Sequence, residues 1–343
     1  MIEQPLEVEH VRRHVYWYRL VPGAGMLLVV ALALITRWSP IVAGHPAYWV
    51  TLVIVGVLGL ALVGWALRRS SFIASANTGD PPVDIHAQRV RTPVKVARFF
   101  GATLTVILLA TIVWLRPFGS TDRGLQGLND SSAVSVTETS TRIQFRPAGN
   151  PRSTGLIFYP GARVDARAYA SILHPLAEQG YLVVVLKLPF GIAFTDANGA
   201  AAVIASEPGI DRWVVGGHSL GGAVSSRFAG AGHPEVAGLL LWASYPIDSL
   251  ADVANLQVAS VSGTNDGLAT PDKIDRSRAT LPATTIFVAV TGAVHADFGD
   301  YGPQVRDGRP GIDHVEAQRQ IIQASLQLMD AVDSNETSPD GGS

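Results

Sequence analysis

Three uninterrupted apolar runs occupy the first third of the chain, at 20–36, 47–67 and 99–115, and none of them contains Asp, Glu, Lys, Arg or His. Each approaches the ~20 apolar residues that a helix needs to cross a bilayer core. From residue 155 the pattern changes. Short apolar runs at 155–159, 181–186, 213–215, 236–243, 256–261 and 285–290 alternate with helix-like stretches, such as 166–179 with Gly180 as its stop. Unbroken apolar runs of this length predict strands buried on both faces. Their alternation with helices predicts an α/β domain: a mostly parallel sheet covered on both sides. The expected organisation is a membrane domain at 1–118 with three transmembrane helices, a linker at 119–131, the α/β domain at 132–332 and a disordered tail at 333–343, rich in Ser, Asp and Gly.

Aromatic residues mark the ends of the apolar runs. Tyr16, Trp17 and Tyr18 precede the first and Trp38 follows it, while Tyr48, Trp49, Trp65 and Trp114 lie near the ends of the other two. Five of the seven tryptophans thus fall where an interfacial belt would hold them. The long polar lead-in and the two later runs argue against a cleaved signal peptide. Basic residues set the expected orientation. Arg12, Arg13 and Arg19 precede the first run, only Arg37 separates it from the second, and Arg68, Arg69, Arg89, Arg91, Lys95 and Arg98 lie between the second and third. The positive-inside rule then places the N-terminus in the cytoplasm and, after three spans, the α/β domain outside it, on a multi-pass protein of the cell membrane. With no ionisable residue inside them, the spans read as anchors in the lipid bilayer rather than as a transport path.

Composition narrows the function classes. A length of 343 residues suits a membrane segment and one domain of about 200 residues. The 48% hydrophobic content reflects the three spans. A net charge of −2 gives no basic surface for nucleic acid, and the lack of cysteine excludes disulfides and thiolate metal sites. No phosphate-binding loop, dinucleotide fingerprint or His/Asp cluster with metal spacing occurs, so neither a cofactor nor a metal is expected. Nothing in the sequence names a protein partner.

The chemistry is concentrated in Gly217-His218-Ser219-Leu220-Gly221, which follows the apolar run at 213–215 and precedes a helix-like stretch at 223–231. Strand, G-x-S-x-G and helix in that order form a nucleophile elbow. A serine at the tip of such a turn crowds the residues two positions away, and glycine at 217 and 221 relieves that crowding. A nucleophilic serine also requires a base and an orienting acid. Asp266 follows the strand at 256–261 and His295 the strand at 285–290, so both fall on loops at the carboxyl ends of parallel strands, the edge that also holds Ser219. Asp266 has turn formers beside it, Asn265 and Gly267, and Asp248 is a rival acid one strand earlier. His314, in the charged start of a helix, is the other downstream histidine. His218 is too near the serine in sequence to act as its base and reads as a packing or hydrogen-bonding neighbour.

From about 132 to 331 the chain resembles the alpha/beta hydrolase superfamily, most of all a bacterial branch related to dienelactone-hydrolase-type enzymes. Four segments bear the likeness: Phe158-Tyr159-Pro160-Gly161-Ala162, Gly216 to Gly222 around the elbow, Ser262-Gly263-Thr264-Asn265-Asp266-Gly267, and His295-Ala296-Asp297-Phe298-Gly299-Asp300-Tyr301-Gly302. The resemblance implies an alpha/beta-hydrolase fold and a triad of Ser219, Asp266 and His295. It implies acyl transfer on a small-molecule ester or related compound, with an oxyanion hole from the N–H of Leu220 and that of Gly161 or Ala162. Tyr245, Phe190 and Tyr301 are the expected substrate-pocket walls. The competing expectation is a non-catalytic binding or scaffolding module on the same fold, which would have no need of all three triad residues.

Overall fold

A computed structural model describes residues 17–68, 92–149 and 151–334. Three helices, α1 (Trp17–Ala43), α2 (Pro46–Arg68) and α3 (Thr92–Trp114), are long and apolar enough to cross a membrane. The first is broken at Arg37, whose φ of −143° is not helical. The described residues divide into two compact units. One comprises the helical stretches up to Thr36 and from Val50 to Arg116. The other comprises Arg37–Trp49 together with the chain from Pro117 onward. Arg12, Arg13, Arg69, Arg89 and Arg91, on which the expected orientation leans, lie outside the described residues, as does the tail beyond 334.

The second unit is built on one eight-stranded sheet. Its elements run α4 (Asp122–Gln126), β1 (Val134–Glu138), β2 (Arg142–Pro147), β3 (Thr154–Tyr159), α5 (Ala170–Glu178), β4 (Leu182–Leu186), α6 (Gly199–Ser206), β5 (Arg212–His218), α7 (Leu220–Ala229), β6 (Val236–Trp242), β7 (Gln257–Gly263), α8 (Pro271–Ser277), β8 (Ile286–Val290) and α9 (His314–Ser334). Strand order is β1-β2-β4-β3-β5-β6-β7-β8. The pairs β1–β2 and β2–β4 are antiparallel, and every pair from β4 to β8 is parallel. The period-2 alternation of a strand sorts the core into two layers. Leu156, Phe158, Leu240 and Trp242 join α5 and α9 on one side, through Leu173, Ile321 and Leu328. Ile157, Tyr159, Leu239 and Leu241 join α6 and α7 on the other, through Val203, Val224 and Phe228. Each of these large apolar side chains, once buried, contributes roughly 1.5–3 kcal/mol.

Two segments differ from their sequence reading. The stretch expected as a linker, and Phe118 just before it, are fastened to the domain. Thr121 N–H in the linker donates to Asp300 O at 2.7 Å; Phe118 N–H donates to Arg163 O at 2.7 Å and Asp165 N–H to Phe118 O at 2.9 Å. The turn Arg37–Trp49, expected to belong wholly with the membrane helices, packs with the sheet. Lys187, 5% exposed at the end of β4, donates to Ala43 O and Thr139 O at 2.6 Å and pairs with Glu138 Oε1 at 2.7 Å. Three oxygens around one buried ammonium are what its desolvation requires. Arg167 likewise holds Asp165 and donates to Ser39 Oγ at 3.0 Å.

Candidate active site

Ser219 stands between β5 and α7 with φ 53° and ψ −122°, in a region that non-glycine residues seldom occupy. Its N–H donates to Trp242 O at 2.9 Å, and its own carbonyl accepts from Ser244 Oγ at 2.7 Å and from Ala223 N–H at 3.1 Å. The turn is therefore over-determined by its neighbours. A Cβ at Gly217 would lie 2.5 Å from the Gly221 carbonyl carbon, and one at Gly221 would run into the Tyr159 carbonyl oxygen. Both flanking glycines are sterically required.

Asp266 and His295 lie where β7 and β8 end. His295 Nδ1 and Asp266 Oδ2 are 2.8 Å apart, with both side chains buried. The other carboxylate oxygen accepts from the N–H groups of Leu268 at 2.7 Å and Ala269 at 2.8 Å. Asp266 is thus held as an acceptor on both oxygens, and the imidazole proton sits on Nδ1, leaving Nε2 as the basic nitrogen. His295 and Ser219 line one cavity of about 220 Å³ with Leu220, Ala223, Ala243, Ser244, Tyr245, Leu268 and Ala269. The rival acid Asp248 is 64% exposed and faces Arg227 at the surface.

His218 is packed behind this pair. Its ring centroid is 4.5 Å from that of His295, and its Nδ1 is 2.9 Å from Tyr169 Oη. Burial and then the neighbouring His295 hold its pKa well below the usual histidine value, so it stays neutral. Tyr169 Oη also accepts the Gly161 N–H at 2.9 Å. With the Gly161 N–H so engaged, that of Ala162 is the loop's other candidate beside Leu220. The Leu220 N–H opens α7, where the first-turn N–H groups have no partner within the helix.

Of the three expected pocket walls, Tyr245 lines the cavity. Tyr301 does not: it is 6% exposed, and its hydroxyl donates to Gln304 Oε1 at 2.9 Å. Phe190 is also absent from the lining; it sits at φ 55° in a tight turn after β4. Aromatic type and proximity in sequence to a motif said nothing about which way either ring would pack. Tyr169 was missed because it lies inside a helix-like stretch with no motif of its own.

His314 is partly exposed, and its ring bridges two buried carboxylates. Its Nδ1 meets Asp297 Oδ1 and its Nε2 meets Asp300 Oδ1, each at 2.8 Å. Asp300 is approached as well by Ser171 Oγ, Gln318 Nε2 and Arg123 Nε. The bonds to Asp297 and Asp300 outweigh burial and raise the His314 pKa from 6.5 to about 9. A folded-state pKa above the unfolded one stabilises the fold fully below about pH 6.5, and that contribution is lost as pH rises through about 9. The melting temperature is therefore expected to fall over this window in thermal scans, and the fall to be blunted in His314→Gln.

Residues 155–320 match the sequence profile of the alpha/beta hydrolase family. The domain has the alpha/beta-hydrolase fold. It is similar in structure to a putative dienelactone hydrolase from Klebsiella pneumoniae subsp. pneumoniae, at 17% identity and a TM-score of 0.44, over 59% of this chain and 99% of that one. It is also similar to a thermophilic esterase from the Planctomycetes species Thermogutta terrifontis, at 12% identity and a TM-score of 0.42, over 59% of this chain and 95% of that one. A third similar structure is an alpha-beta serine hydrolase homologue from Coxiella burnetii, at 15% identity and a TM-score of 0.38, over 57% of this chain and 98% of that one. No curated protein sequence matches the chain. Among the described residues, no group of three or more His, Cys, Asp or Glu side chains could hold a metal ion.

Proposed function

We propose that this protein is a membrane-anchored serine hydrolase that cleaves small carboxylic esters, or related acyl compounds, through Ser219, His295 and Asp266. The observation that carries the reading is the buried 2.8 Å His295–Asp266 pair opening, through His295, onto the same cavity as a serine in a strained elbow. In this mechanism Ser219 Oγ attacks the acyl carbon and passes its proton to His295 Nε2. Asp266 keeps the imidazole in the required tautomer and stabilises the imidazolium. The oxyanion forms against the N–H groups of Leu220 and Ala162, since the Gly161 N–H is already taken by Tyr169 Oη. Collapse returns the proton to the leaving alcohol, and water then releases the acid from Ser219 by the same steps in reverse.

The cavity argues for a modest, uncharged acyl group. Its volume is about 220 Å³, and three of its walls are alanines. No Lys or Arg lines it, so a carboxylate on the acyl side would be buried without a partner. The three apolar helices suit a bilayer anchor, and the basic residues before the first run and between the second and third favour an extracytoplasmic hydrolase domain.

The test is labelling of the detergent-solubilised full chain with a fluorophosphonate probe. Rapid labelling that disappears in Ser219→Ala and drops sharply in Asp266→Asn and His295→Ala is the expected result. A folded wild type that stays unlabelled would overturn the hydrolase reading in favour of a scaffold.

A further inference from the structure

The loop between the 3-10 turn at His295–Phe298 and α9 has no role in the chemistry described so far. Asp307 stands at its centre and is only half-buried, yet its carboxylate accepts four backbone N–H groups. Oδ1 takes those of Gly308 at 2.7 Å, Gly267 at 3.1 Å and His295 at 3.1 Å, and Oδ2 takes that of Ala296 at 2.9 Å. These donors come from three separate places. Gly267 follows the acid Asp266, His295 is the base itself, and Gly308 belongs to the loop. The N–H groups of His295 and Ala296 are the orphan donors at the start of a helical turn, which a carboxylate satisfies best.

We infer that Asp307 is a positioning residue that clamps the tips of the acid and base loops together and so fixes the His295 imidazole over Ser219. The inference rests on the proposed triad. Other bonds join the same two loops, but at their roots: Asn265 N–H to Ala293 O at 3.0 Å and Gly292 N–H to Thr264 Oγ1 at 2.8 Å hold them where the strands end. Asp297 also braces the base loop, through Val294 N–H at 2.8 Å, and its other oxygen is taken by His314. Asp307 alone among these touches the backbone of the base and of the residue next to the acid. Its loop is laid tightly on the acid loop, since a Cβ at Gly308 would run into the Asn265 carbonyl oxygen and Asn265 Nδ2 donates to Arg309 O at 3.0 Å. Asp307 lies outside the cavity that Ser219 lines, so its effect should fall on the chemical step and not on substrate affinity.

The experiment measures fluorophosphonate labelling rate per folded molecule, with kcat and KM on a short-chain ester, for the full chain in detergent. Asp307→Ala is expected to lower labelling rate and kcat about 100-fold, the cost of a catalytic group misplaced by about 1 Å, with KM near that of the wild type. Asp307→Asn keeps an oxygen for the three Oδ1 bonds but turns an amide NH2 toward the Ala296 N–H, so its kcat should fall about 10-fold, between Asp307→Ala and the wild type. Arg309→Ala, an exposed neighbour in the loop, should label like the wild type. Wild-type labelling and kcat in folded Asp307→Ala would overturn the inference, as would a loss expressed wholly in KM. If Asp307→Ala fails to fold, Asp307→Asn decides alone: a roughly 10-fold lower kcat supports the clamp, and an unchanged kcat overturns it. Failure of the triad is seen separately, as labelling that survives in Ser219→Ala.

Discussion

Replacing Ser219 with alanine is expected to lower ester hydrolysis by about 10⁵–10⁶-fold, and replacing His295 as well is expected to add almost nothing. The reason is that in the proposed mechanism the serine, the imidazole and the carboxylate act as one unit. Without the His295 base, Ser219 is an ordinary hydroxyl; without the hydroxyl, His295 has no proton to accept. The geometry makes the coupling concrete. Asp266 is committed to His295 Nδ1 and to two backbone N–H groups, leaving it no other role in the site. The double variant should keep a residual rate about 10³–10⁴-fold above water, because the Leu220 and Ala162 donors and the cavity walls are untouched. Steady-state kinetics on the two single variants and the double variant measure this. Additive losses would mean that Ser219 and His295 work independently, and the acyl-enzyme mechanism would have to be abandoned.

The candidate site was legible in the sequence where the chemistry is local. The elbow needs its serine and both glycines within five residues, and the acid and base each follow directly on an apolar run that could only be a strand. Their meeting at one sheet edge follows from the parallel order of β5, β7 and β8. The bracing around the site was not legible, because it is built by partners far apart in the chain. Tyr169 reaches His218 across 49 positions, and Asp307 reaches Gly267 across 40. Lys187 finds Ala43 across 144 positions, so no pattern near either residue betrays that the Arg37–Trp49 turn packs with the hydrolase sheet. The β1–β2 hairpin escaped notice for a different reason. It is an edge pair with one exposed face, and Arg142, Gln144 and Arg146 interrupt its apolar positions. Gly161 and Ala162 were equally eligible as donors in sequence, because a backbone N–H carries no sign there of the tyrosine that occupies it.

The second large effect is expected at Gly221→Ala. A methyl group there meets the Tyr159 carbonyl oxygen head-on and would lie 2.5 Å from that of Pro160. Both are backbone atoms at the end of β3, which is buried along its whole length and paired on both sides, with β4 and β5. Neither can step aside, so α7 must move away from β3, and the elbow and the oxyanion loop separate with it. Overpacking of this kind costs up to about 3 kcal/mol, which for a domain of this size lowers the melting temperature by roughly 6–12 °C. The catalytic loss should be larger than the stability loss implies. The same shift moves Leu220 N–H relative to the Ala162 loop, and a displacement of about 1 Å at the reacting centre costs about 100-fold. Gly230→Ala serves as the comparison, since its added methyl group would meet chiefly the end of the Leu250 side chain, at 2.6 Å, which can rotate away. Thermal melts and fluorophosphonate labelling on the two variants should therefore diverge, with Gly230→Ala close to the wild type in both. Equal behaviour of the two would mean that the β3–α7 approach does not govern the geometry of the elbow.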